Sequence, residues 1–478
     1  MTNKYILGID IGTTSVKVCV LDPSSNEVIA SHKKDTCSDV PSELGSEGNK
    51  QDVPRILSAC QMCVSRLPRD QLRKIYRIGI CGQMHGCMLW KQGSAWERKV
   101  DSERYEIKEV SNVYTWQDSR CSTEFLDQLP TPSSHLALAS GYGCATLIWF
   151  AKNKPEMFDE FDRAGTIHDF FVSIICGLDK PTMSVQNAAA WGYFNTEKEE
   201  WNTEQLEEAG LPLRYLPNVV SSGKFAGKLE SSWYGIPKDT PVLASLGDLQ
   251  CSVLPSLNAE TDAVINISTS AQICFKLSSD FKPPSQPSPT PNPVDYFPYF
   301  DGSYLAVAAS LNGGNALAAF VRTLQQWVLE LGFQVPQSKI WERTLSLGSS
   351  DQSDSNLEVE PTLFGERHSP ERSACASNIN IGNISLGKVM KALCRGVIKN
   401  LHRRLMKFTL SLYTFNMMPR SLLVENGVNR IIGGGSALVR NKILQREVEE
   451  QYQLPLTLDA RGNAAYGAAL AAKNAVIN

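Results

Sequence analysis

The sequence predicts an α/β fold of two similar lobes that face each other across a cleft. Residues 5–22 indicate two strands joined by a tight polar turn, because apolar runs flank Gly-Thr-Thr-Ser. Residues 262–277 have the same form, and a second echo pairs residues 77–82 with residues 430–435, each a short strand that runs into a glycine turn. Two short echoes can arise by chance. A repeat near half the chain length nevertheless favours two lobes of one ancestral design.

Length and composition exclude several classes of protein. The 478 residues are 42% hydrophobic and 20% charged, which suffices for full cores and excludes wholesale disorder. A net charge of −3 argues against a nucleic-acid partner, because a phosphate backbone demands a basic surface. No apolar run approaches ~18 residues, and the first residues lack the features of a secretory signal. Thirteen cysteines, an odd number, suit reduced thiols. We therefore expect a cytoplasmic protein without a membrane partner, and the sequence indicates no particular protein partner.

Three further segments have clear patterns. Residues 278–298 carry seven prolines, so we expect an extended surface loop, and a stiff loop is favoured over a ligand for an SH3-type domain. Residues 386–405 repeat apolar side chains at spacings of three and four, which predicts a helix. A second helix is expected over residues 437–451, directly after a glycine-rich turn.

The first predicted hairpin tip is suited to binding phosphate. Glycine lets the backbone approach a ligand, and hydroxyl groups donate hydrogen bonds without steric bulk. Lys17 adds a positive charge nearby, and the Asp10 carboxylate precedes the turn, where it could hold a hydrated Mg²⁺. The alternative is an ordinary hairpin turn chosen for local hydrogen bonding. The tip consists of Gly12, Thr13, Thr14 and Ser15.

A second hydroxyl-rich tip and two glycine-rich breaks complete the set of candidate phosphate-binding segments. Ser268 and Thr269 stand where the first hairpin has its own hydroxyls, and two such tips facing each other would clamp a triphosphate. Glycines between a strand and a helix leave room for a flat group such as adenosine, although close helix–strand packing would need them as well. The glycines concerned are Gly433, Gly434 and Gly435, with a similar break at Gly314.

Two polar residues have a candidate role in chemistry. Asp248 follows Leu-Gly before a possible helix, and its pattern alone favours an N-cap over a catalytic carboxylate. His85 stands in a glycine-flanked turn between two apolar strands, where a neutral imidazole could donate to one ligand oxygen and accept from a ligand hydroxyl. Met84 could pack on the C–H surface of a ligand or belong to the core.

Taken in order, these segments resemble the FGGY carbohydrate kinases, which share the actin and sugar-kinase ATPase fold. The resemblance implies two actin-like (ribonuclease H-like) lobes with an active-site cleft between them. It places residues 1–250 in an N-terminal lobe for the sugar and the first phosphate loop, and residues 251–478 in a C-terminal lobe for the second loop and adenosine. The matching segments are GIDIGTTSVK, CGQMHG, WQDSR, SGYGCATLIWF, TIHDFF, NAAAWGYF, LGDLQ, NISTSAQ, GERHSP, IIGGGSALVRN and NAAYGAALAA.

The resemblance also implies roles for individual residues. Asp248 matches the catalytic base, and Asp10 would lie near the transferred phosphoryl group and hold Mg²⁺ through water. The residues expected at the sugar are Gln83, Met84, His85, Asp118 and Asp248. The residues expected at ATP are Asp10, Gly12, Thr13, Thr14, Ser15, Lys17, Ser268, Thr269, Gly314, Gly433, Gly434 and Gly435.

Within the family, LGDLQ, NISTSAQ, GERH, LCRGV and GGGSALVRN are together most similar to the branch that phosphorylates sedoheptulose. The implied activity is ATP-dependent phosphorylation of the terminal hydroxyl to give sedoheptulose 7-phosphate. Two departures from many relatives are Ser268 in place of glycine and Leu249, which cannot bond a sugar hydroxyl, in place of Asn or Gln. The alternatives are a xylulose or other polyol kinase, a non-catalytic sugar sensor, and an ATPase whose output is a protein contact.

Overall fold

The structure is a computed structural model. It describes residues 4–257, 259–288, 292–351, 353, 355–366, 369, 371–410, 417–459 and 463–476. Arg367, His368 and Pro370 of the GERHSP segment lie outside the described residues, as do residues 289–291 of the proline-rich segment.

The first sheet contains seven strands. Its central strand, Tyr5–Ile11, is buried along its whole length, in keeping with its almost wholly apolar sequence. This strand pairs antiparallel with Ser15–Asp22 and parallel with Ile75–Gly82. The short strand Leu246–Gly247 also pairs with Ile75–Gly82. Across the sheet the order is Phe225–Lys228, Pro241–Leu243, Ile75–Gly82, Tyr5–Ile11, Ser15–Asp22 and Glu27–Asp35.

The second sheet contains six strands, and its three central strands pair as those of the first sheet do. Its central strand, Asp262–Ile267, pairs antiparallel with Ala271–Lys276 and parallel with Arg430–Gly434. Across the sheet the order is Asp295–Pro298, Tyr304–Ser310, Ala271–Lys276, Asp262–Ile267, Arg430–Gly434 and Leu456–Leu458.

The two sheets share one register at their central strands. Asp10 stands opposite Cys81 in the first sheet, and Asn266 stands opposite Gly434 in the second. These are the positions that the two sequence echoes equate. The repeat and the predicted two-lobe α/β organisation are therefore confirmed.

Helices and short strands cover and connect the two sheets. The helices are Val53–Ser65, Arg69–Leu72, Thr123–Asp127, Gly143–Asn153, Met157–Glu160, Ile167–Cys176, Val185–Trp191, Thr203–Glu208, Asp248–Val253, Gly314–Glu330, Gln337–Ser350, Leu386–Arg404, Leu422–Glu425, Ser436–Arg440, Lys442–Tyr452 and Ala464–Asn474. The remaining strands are Asp39–Val40, Lys50–Gln51, Met88–Trp90, Trp96–Lys99, Arg104–Ile107, Val113–Tyr114, Arg163–Gly165, Thr182–Ser184, Phe194–Asn195, Glu200–Trp201, Asn218–Val220, Glu358–Glu360, Cys375–Ser377, Met406–Leu410 and Met417–Ser421. Within the described part of the chain, none of these helices combines the length and apolar character needed to cross a bilayer.

Three local predictions can be compared with these bounds. The helix expected over residues 386–405 is confirmed as Leu386–Arg404. The single helix expected over residues 437–451 is wrong, because Asn441 ends one helix and its side chain accepts the N–H groups that begin the next. The proline-rich segment is not wholly a surface loop, since its end forms the edge strand Asp295–Pro298 and buries Phe297.

The C-terminal helix, Ala464–Asn474, lies against the first sheet. A Cβ added to Gly8 would lie 2.0 Å from the carbonyl oxygen of Ala465, and one added to Gly79 would lie 2.0 Å from that of Ala468. The helix also contacts the helix Asp248–Val253, where a Cβ on Gly467 would lie 1.7 Å from the carbonyl oxygen of Cys251. Glycine is needed at these positions for close backbone approach. The lobe boundary at residue 250 stays a prediction.

Candidate active site

The first hairpin tip is held by side chains distant in sequence. The Gly12 N–H donates to the Ser15 carbonyl across the turn at 3.2 Å. The hydroxyl of Thr13 accepts a hydrogen bond from Nε1 of Trp116 at 3.1 Å and donates to Oε1 of Gln83 at 3.3 Å. Ser15 is buried, whereas Thr14 is exposed. Of the three hydroxyls predicted at this tip, that of Thr14 therefore faces solvent, while that of Thr13 is already engaged by neighbours.

The second hairpin tip brings three sequence-distant segments together. The carbonyl of Ser268 accepts the N–H of Gly314 at 2.8 Å, and that of Thr269 accepts the N–H of Asn315 at 3.0 Å. The Ser268 hydroxyl accepts the N–H of Ser436 at 3.3 Å. Thr269 is exposed. The Asn-Gly-Gly-Asn break and the triple-glycine segment thus converge on the tip that the sequence pairs with Gly12–Ser15.

The glycines near this tip do not all occupy their positions for the same structural reason. A Cβ on Gly314 would lie 2.3 Å from the Ser268 carbonyl oxygen, and one on Gly435, whose φ is +89°, would lie 2.3 Å from that of Ile267. A Cβ on Gly433 would lie 2.8 Å from Cδ1 of Leu456, which is closer than side chains pack in a protein core. At Gly434 a Cβ would meet none of the described atoms within 4 Å. Packing therefore explains three of these glycines, while open space at Gly434 leaves room for a flat ligand.

Asp10 and Lys17 form an ion pair at the end of the first strand. Nζ of Lys17 lies 3.1 Å from Oδ2 of Asp10, and the two residues are directly opposite in the antiparallel ladder. Asp10 is buried, and burial raises the pKa of its carboxyl group while Lys17 opposes that shift. The charge of Asp10 in turn raises the pKa of Lys17. Lys17 is therefore a fixed cation beside the first hairpin tip.

Asp248 is the first residue of the helix Asp248–Val253. The N-cap is Gly247, so the expectation that Asp248 itself caps the helix is wrong. Its side chain is half-buried. Burial, and after it the negative charge of Asp10, raises the pKa of Asp248 to about 7, against the opposing effects of the Leu249 N–H and Lys17. A perturbed carboxyl group between two lobes is a candidate for acid–base chemistry.

The residues at this point fit a magnesium ion held partly through water. Asp10 supplies carboxylate oxygens, the ligands that Mg²⁺ prefers, and a nearby cation would offset the raised pKa of its carboxyl group. Within the described ranges, no cluster of three or more His, Cys, Asp or Glu side chains is arranged to hold a metal. An ion here would therefore complete its shell with water and phosphate oxygens.

The Gln83-Met84-His85 turn follows the strand Ile75–Gly82. Nδ1 of His85 lies 2.8 Å from the carbonyl oxygen of Ala190, so Nδ1 carries the proton and donates it there. A neutral His85 then presents Nε2 only as an acceptor, and the expectation that it also donates to a sugar oxygen is wrong. Tyr142 stacks on the ring at 4.5 Å. The φ of His85 is +72°, so this ring orientation comes with a left-handed backbone.

The other two residues of this turn are mostly buried. The amide of Gln83 donates to Oε1 of Gln51 at 3.1 Å and accepts from Thr13, so it links this turn to the first hairpin tip. Met84 is 5% exposed, and its sulfur would lie 2.8 Å from a Cβ on Gly247. Met84 therefore packs against the turn that leads to Asp248, as its core alternative expects.

Asp118 is fully engaged within the protein. Its carboxylate accepts two hydrogen bonds from the Arg120 guanidinium, at 2.6 and 2.9 Å, and one from the Asn49 N–H at 2.8 Å. Both side chains of the ion pair are buried. The Arg120 guanidinium lies 4.5 Å from the ring centroid of Tyr114. This geometry favours a supporting role for Asp118 over contact with a ligand.

Several residues that shape the site were missed from the sequence. Trp116 lies in the WQDSR segment and Gln250 in LGDLQ, but neither motif indicates the contact that its residue makes. Gln51 and Gln186 stand in segments without a local signal. Each of these four residues contacts a group tens of residues away in the chain, and no local sequence pattern predicts such a contact.

The chain is similar in sequence to proteins of known function over most of its length. The model of the FGGY family of carbohydrate kinases, N-terminal domain, matches residues 5–255. The sedoheptulokinase of Homo sapiens is 46% identical over 474 residues, covering 97% of this chain and 96% of that protein. The sedoheptulokinase of Mus musculus is 45% identical over 472 residues, with the same coverage. The xylulose kinase of Escherichia coli K12 is 26% identical over 286 residues, covering 58% of this chain and 54% of that protein.

Solved structures share the fold at low identity. The xylulose kinase from Rhodospirillum rubrum has a TM-score of 0.77 at 15% identity, covering 98% of this chain and 89% of that one. The glycerol kinase of Plasmodium falciparum with ADP has a TM-score of 0.75 at 15% identity, covering 98% and 88%. These likenesses confirm the expected fold of two actin-like lobes.

Proposed function

The chain belongs to the FGGY family of carbohydrate kinases, and we propose that it transfers the γ-phosphoryl group of ATP to the terminal hydroxyl of sedoheptulose, giving sedoheptulose 7-phosphate. That it is a carbohydrate kinase follows from the family. The choice of ketose is supported by identity of 46% and 45% to two sedoheptulokinases over 97% of the chain.

The observation that carries the proposal is the position of Asp248 at the start of a helix together with the raised pKa of its carboxyl group. A primary alcohol is a poor nucleophile, so a carboxylate must accept its proton as the new bond forms. Asp248 is half-buried at the start of a helix between the lobes, and its pKa of about 7 is close to the pH at which a general base works well. Asp248 then takes the proton from the terminal hydroxyl while that oxygen attacks the γ-phosphorus.

We assign the nucleotide to the two hairpin tips. Thr14 and Thr269 present exposed hydroxyls for phosphate oxygens, and Lys17 supplies positive charge beside the first tip. The open space at Gly434 suits the flat surface of adenosine. A magnesium ion held by Asp10 through water would neutralise charge on the donor phosphates.

We assign the sugar to the turn that contains His85. Its Nε2 accepts a hydrogen bond from a sugar hydroxyl, while Tyr142 and the bond to Ala190 hold the ring in place. Gln83 belongs to the same turn and connects it to the first hairpin tip through Thr13. Leu249 has no hydrogen-bonding side chain, so polar recognition of the sugar falls to other residues.

The test is release of ADP in the presence of a panel of sugars, namely sedoheptulose, xylulose, ribulose and glycerol. The proposal expects the highest kcat/KM with sedoheptulose. Higher activity with xylulose or glycerol would mean that the chain is a kinase but that sedoheptulose is not its preferred substrate. Ketose binding without ADP would indicate a sensor, and ADP release without any sugar would indicate an ATPase.

We also propose that the reaction takes place in the cytoplasm. All thirteen cysteines lie in described segments and are free, which fits a reducing compartment. Fractionation of cells, followed by detection of the chain with an antibody, tests this location.

A further inference from the structure

A short segment of the second lobe is held by side chains of the first lobe at every residue. Residues 296–299, the bridging segment, include the end of the edge strand Asp295–Pro298 in the second sheet. The first-lobe side chains that contact it, one for each successive residue, are His135, His85, Gln250 and Gln186.

Three of these contacts are hydrogen bonds to backbone carbonyls. Nε2 of His135 donates to the carbonyl of Tyr296 at 2.6 Å. Nε2 of Gln250 donates to the carbonyl of Pro298 at 3.2 Å, and that of Gln186 donates to the carbonyl of Tyr299 at 3.3 Å. Both glutamines are fully buried. A buried amide that loses its partner carries a full desolvation cost, so these contacts are specific.

The fourth contact reaches His85. The ring of Phe297 meets the His85 imidazole edge-on, with 6.0 Å between centroids and 68° between planes. Tyr142 covers one face of the imidazole, and the Ala190 carbonyl takes its Nδ1 proton. The first lobe thus sets the tautomer of His85, and the second lobe packs against the same ring through Phe297.

The two glutamines act on the chain just before and just after Asp248. Oε1 of Gln186 accepts the N–H of Gly247, the residue before Asp248, at 3.2 Å, while the same amide donates to Tyr299. Gln250 belongs to the helix that Asp248 begins. The backbone just before the carboxylate and the helix just after it are therefore both tied to the second lobe.

We propose that the bridging segment is a positioning element through which the second lobe holds the His85 imidazole and the Asp248 turn in register with each other. Phe297, Gln186 and Gln250 are positioning residues, because they act on His85 and on the Asp248 turn. The inference rests on the proposed function for the identity of the two groups that are positioned. It adds that turnover of the ketose depends on these contacts between lobes, none of which involves a residue assigned to ATP.

A purely structural role would make any contact between the lobes equally important. The chain offers a matched control for this alternative, since Oη of Tyr304 in the second sheet donates to Oγ1 of Thr196 in the first lobe at 3.0 Å. Tyr304→Phe removes that hydrogen bond between lobes, keeps the ring, and leaves the bridging segment intact.

The test compares Gln186→Met and Phe297→Leu with Tyr304→Phe in the full-length protein. We expect kcat with sedoheptulose to fall by about 10- to 100-fold in the first two, because misplacement of reacting groups by about 1 Å has an effect of that order. KM for ATP is expected to stay within about twofold of wild type, as is kcat of Tyr304→Phe. Hydrogen exchange at the Gly247 amide, measured without substrates, is expected to accelerate in Gln186→Met and not in Tyr304→Phe.

The outcomes separate this inference from the proposed function. Turnover and Gly247 exchange in Gln186→Met and Phe297→Leu that match Tyr304→Phe would overturn the positioning role. So would a loss of kcat accompanied by an equal loss of ATP affinity, which indicates general damage. A wild-type protein that phosphorylates no ketose would overturn the proposed function instead. Hydrogen exchange at Gly247 would then test the positioning role of the bridging segment on its own. Faster exchange in Gln186→Met would support that role, and unchanged exchange would overturn it.

Discussion

The charges of Asp10 and Asp248 interact, because Asp10 lies near the end of the central strand Tyr5–Ile11 and Asp248 begins the helix that follows a strand of the same sheet. Burial makes the larger contribution, and the charge of Asp10 the next, to a pKa of about 7 at Asp248. The two negative charges repel each other and so oppose joint ionisation, and the neighbouring Lys17 offsets this repulsion only in part. This relationship gives the Asp248 carboxyl group a charge state that changes near neutral pH.

Asp248→Asn is expected to lower turnover by about 10²–10⁴-fold, because the variant keeps the shape of the side chain and loses the proton acceptor. Affinity for ATP, measured by calorimetry, is expected to stay near wild type. Asp301→Asn is a suitable control, since Asp301 is an exposed residue with φ +56°, a conformation that asparagine also adopts. Retention of more than roughly a third of wild-type turnover would remove Asp248 from the role of base.

The pH dependence of kcat should report the ionisation of Asp248. Only the carboxylate accepts a proton, so kcat is expected to rise as pH increases through the pKa of about 7 and then to level off. Bound phosphates and a metal ion change the local field, so the profile of kcat and that of kcat/KM are measured separately. A flat profile between about pH 5 and pH 8 would contradict the assignment.

The contribution of Asp248 to the stability of the folded protein should fall as pH rises, opposite to the expected rise in kcat. The folded pKa of Asp248, about 7, lies above the ordinary value of 3.8, so the folded state binds this proton more tightly than the unfolded state. The contribution of Asp248 to the free energy of unfolding is therefore present below about pH 4 and lost as pH rises to about 7. Asp248→Asn is expected to be stabilised relative to wild type at about pH 8 and much less at about pH 4, in urea unfolding experiments. Asp301→Asn should show no such trend, and an equal difference at both pH values would contradict the linkage.

Gly467→Ala should disturb the helix that carries Asp248. The added Cβ would lie 1.7 Å from the Cys251 carbonyl oxygen, a backbone atom that cannot move aside alone. We expect a loss of stability of about 1–3 kcal/mol or more and a lower kcat, since the two helices must separate. Gly382→Ala is the control, because its Cβ would meet only the tip of the Asn380 side chain, at 3.3 Å. Unchanged melting temperature and turnover in Gly467→Ala would contradict the close packing of these helices.

Local patterns predicted the elements that carry the site. The apolar runs around Gly12–Ser15 and around Ser268–Thr269 form hairpins, and the segments that end at Gly82 and Gly435 form the strands beside them. The spacing of apolar residues predicted the helix Leu386–Arg404. The capping alternative for Asp248 was wrong because the backbone turns one residue earlier, at Gly247.

The sequence by itself determined the two-lobe repeat, the position of its polar tips and the family, since strand alternation, turn residues and motif order are written in neighbouring positions. Only the tertiary structure decided which groups remain available. It commits Thr13 to Trp116, commits Asp118 to Arg120, and sets the tautomer of His85 through Ala190. It also turns the end of a proline-rich segment into a contact between the lobes. The physical reason is that hydrogen bonds and burial at these residues join atoms far apart in the chain, and no local pattern encodes such partners.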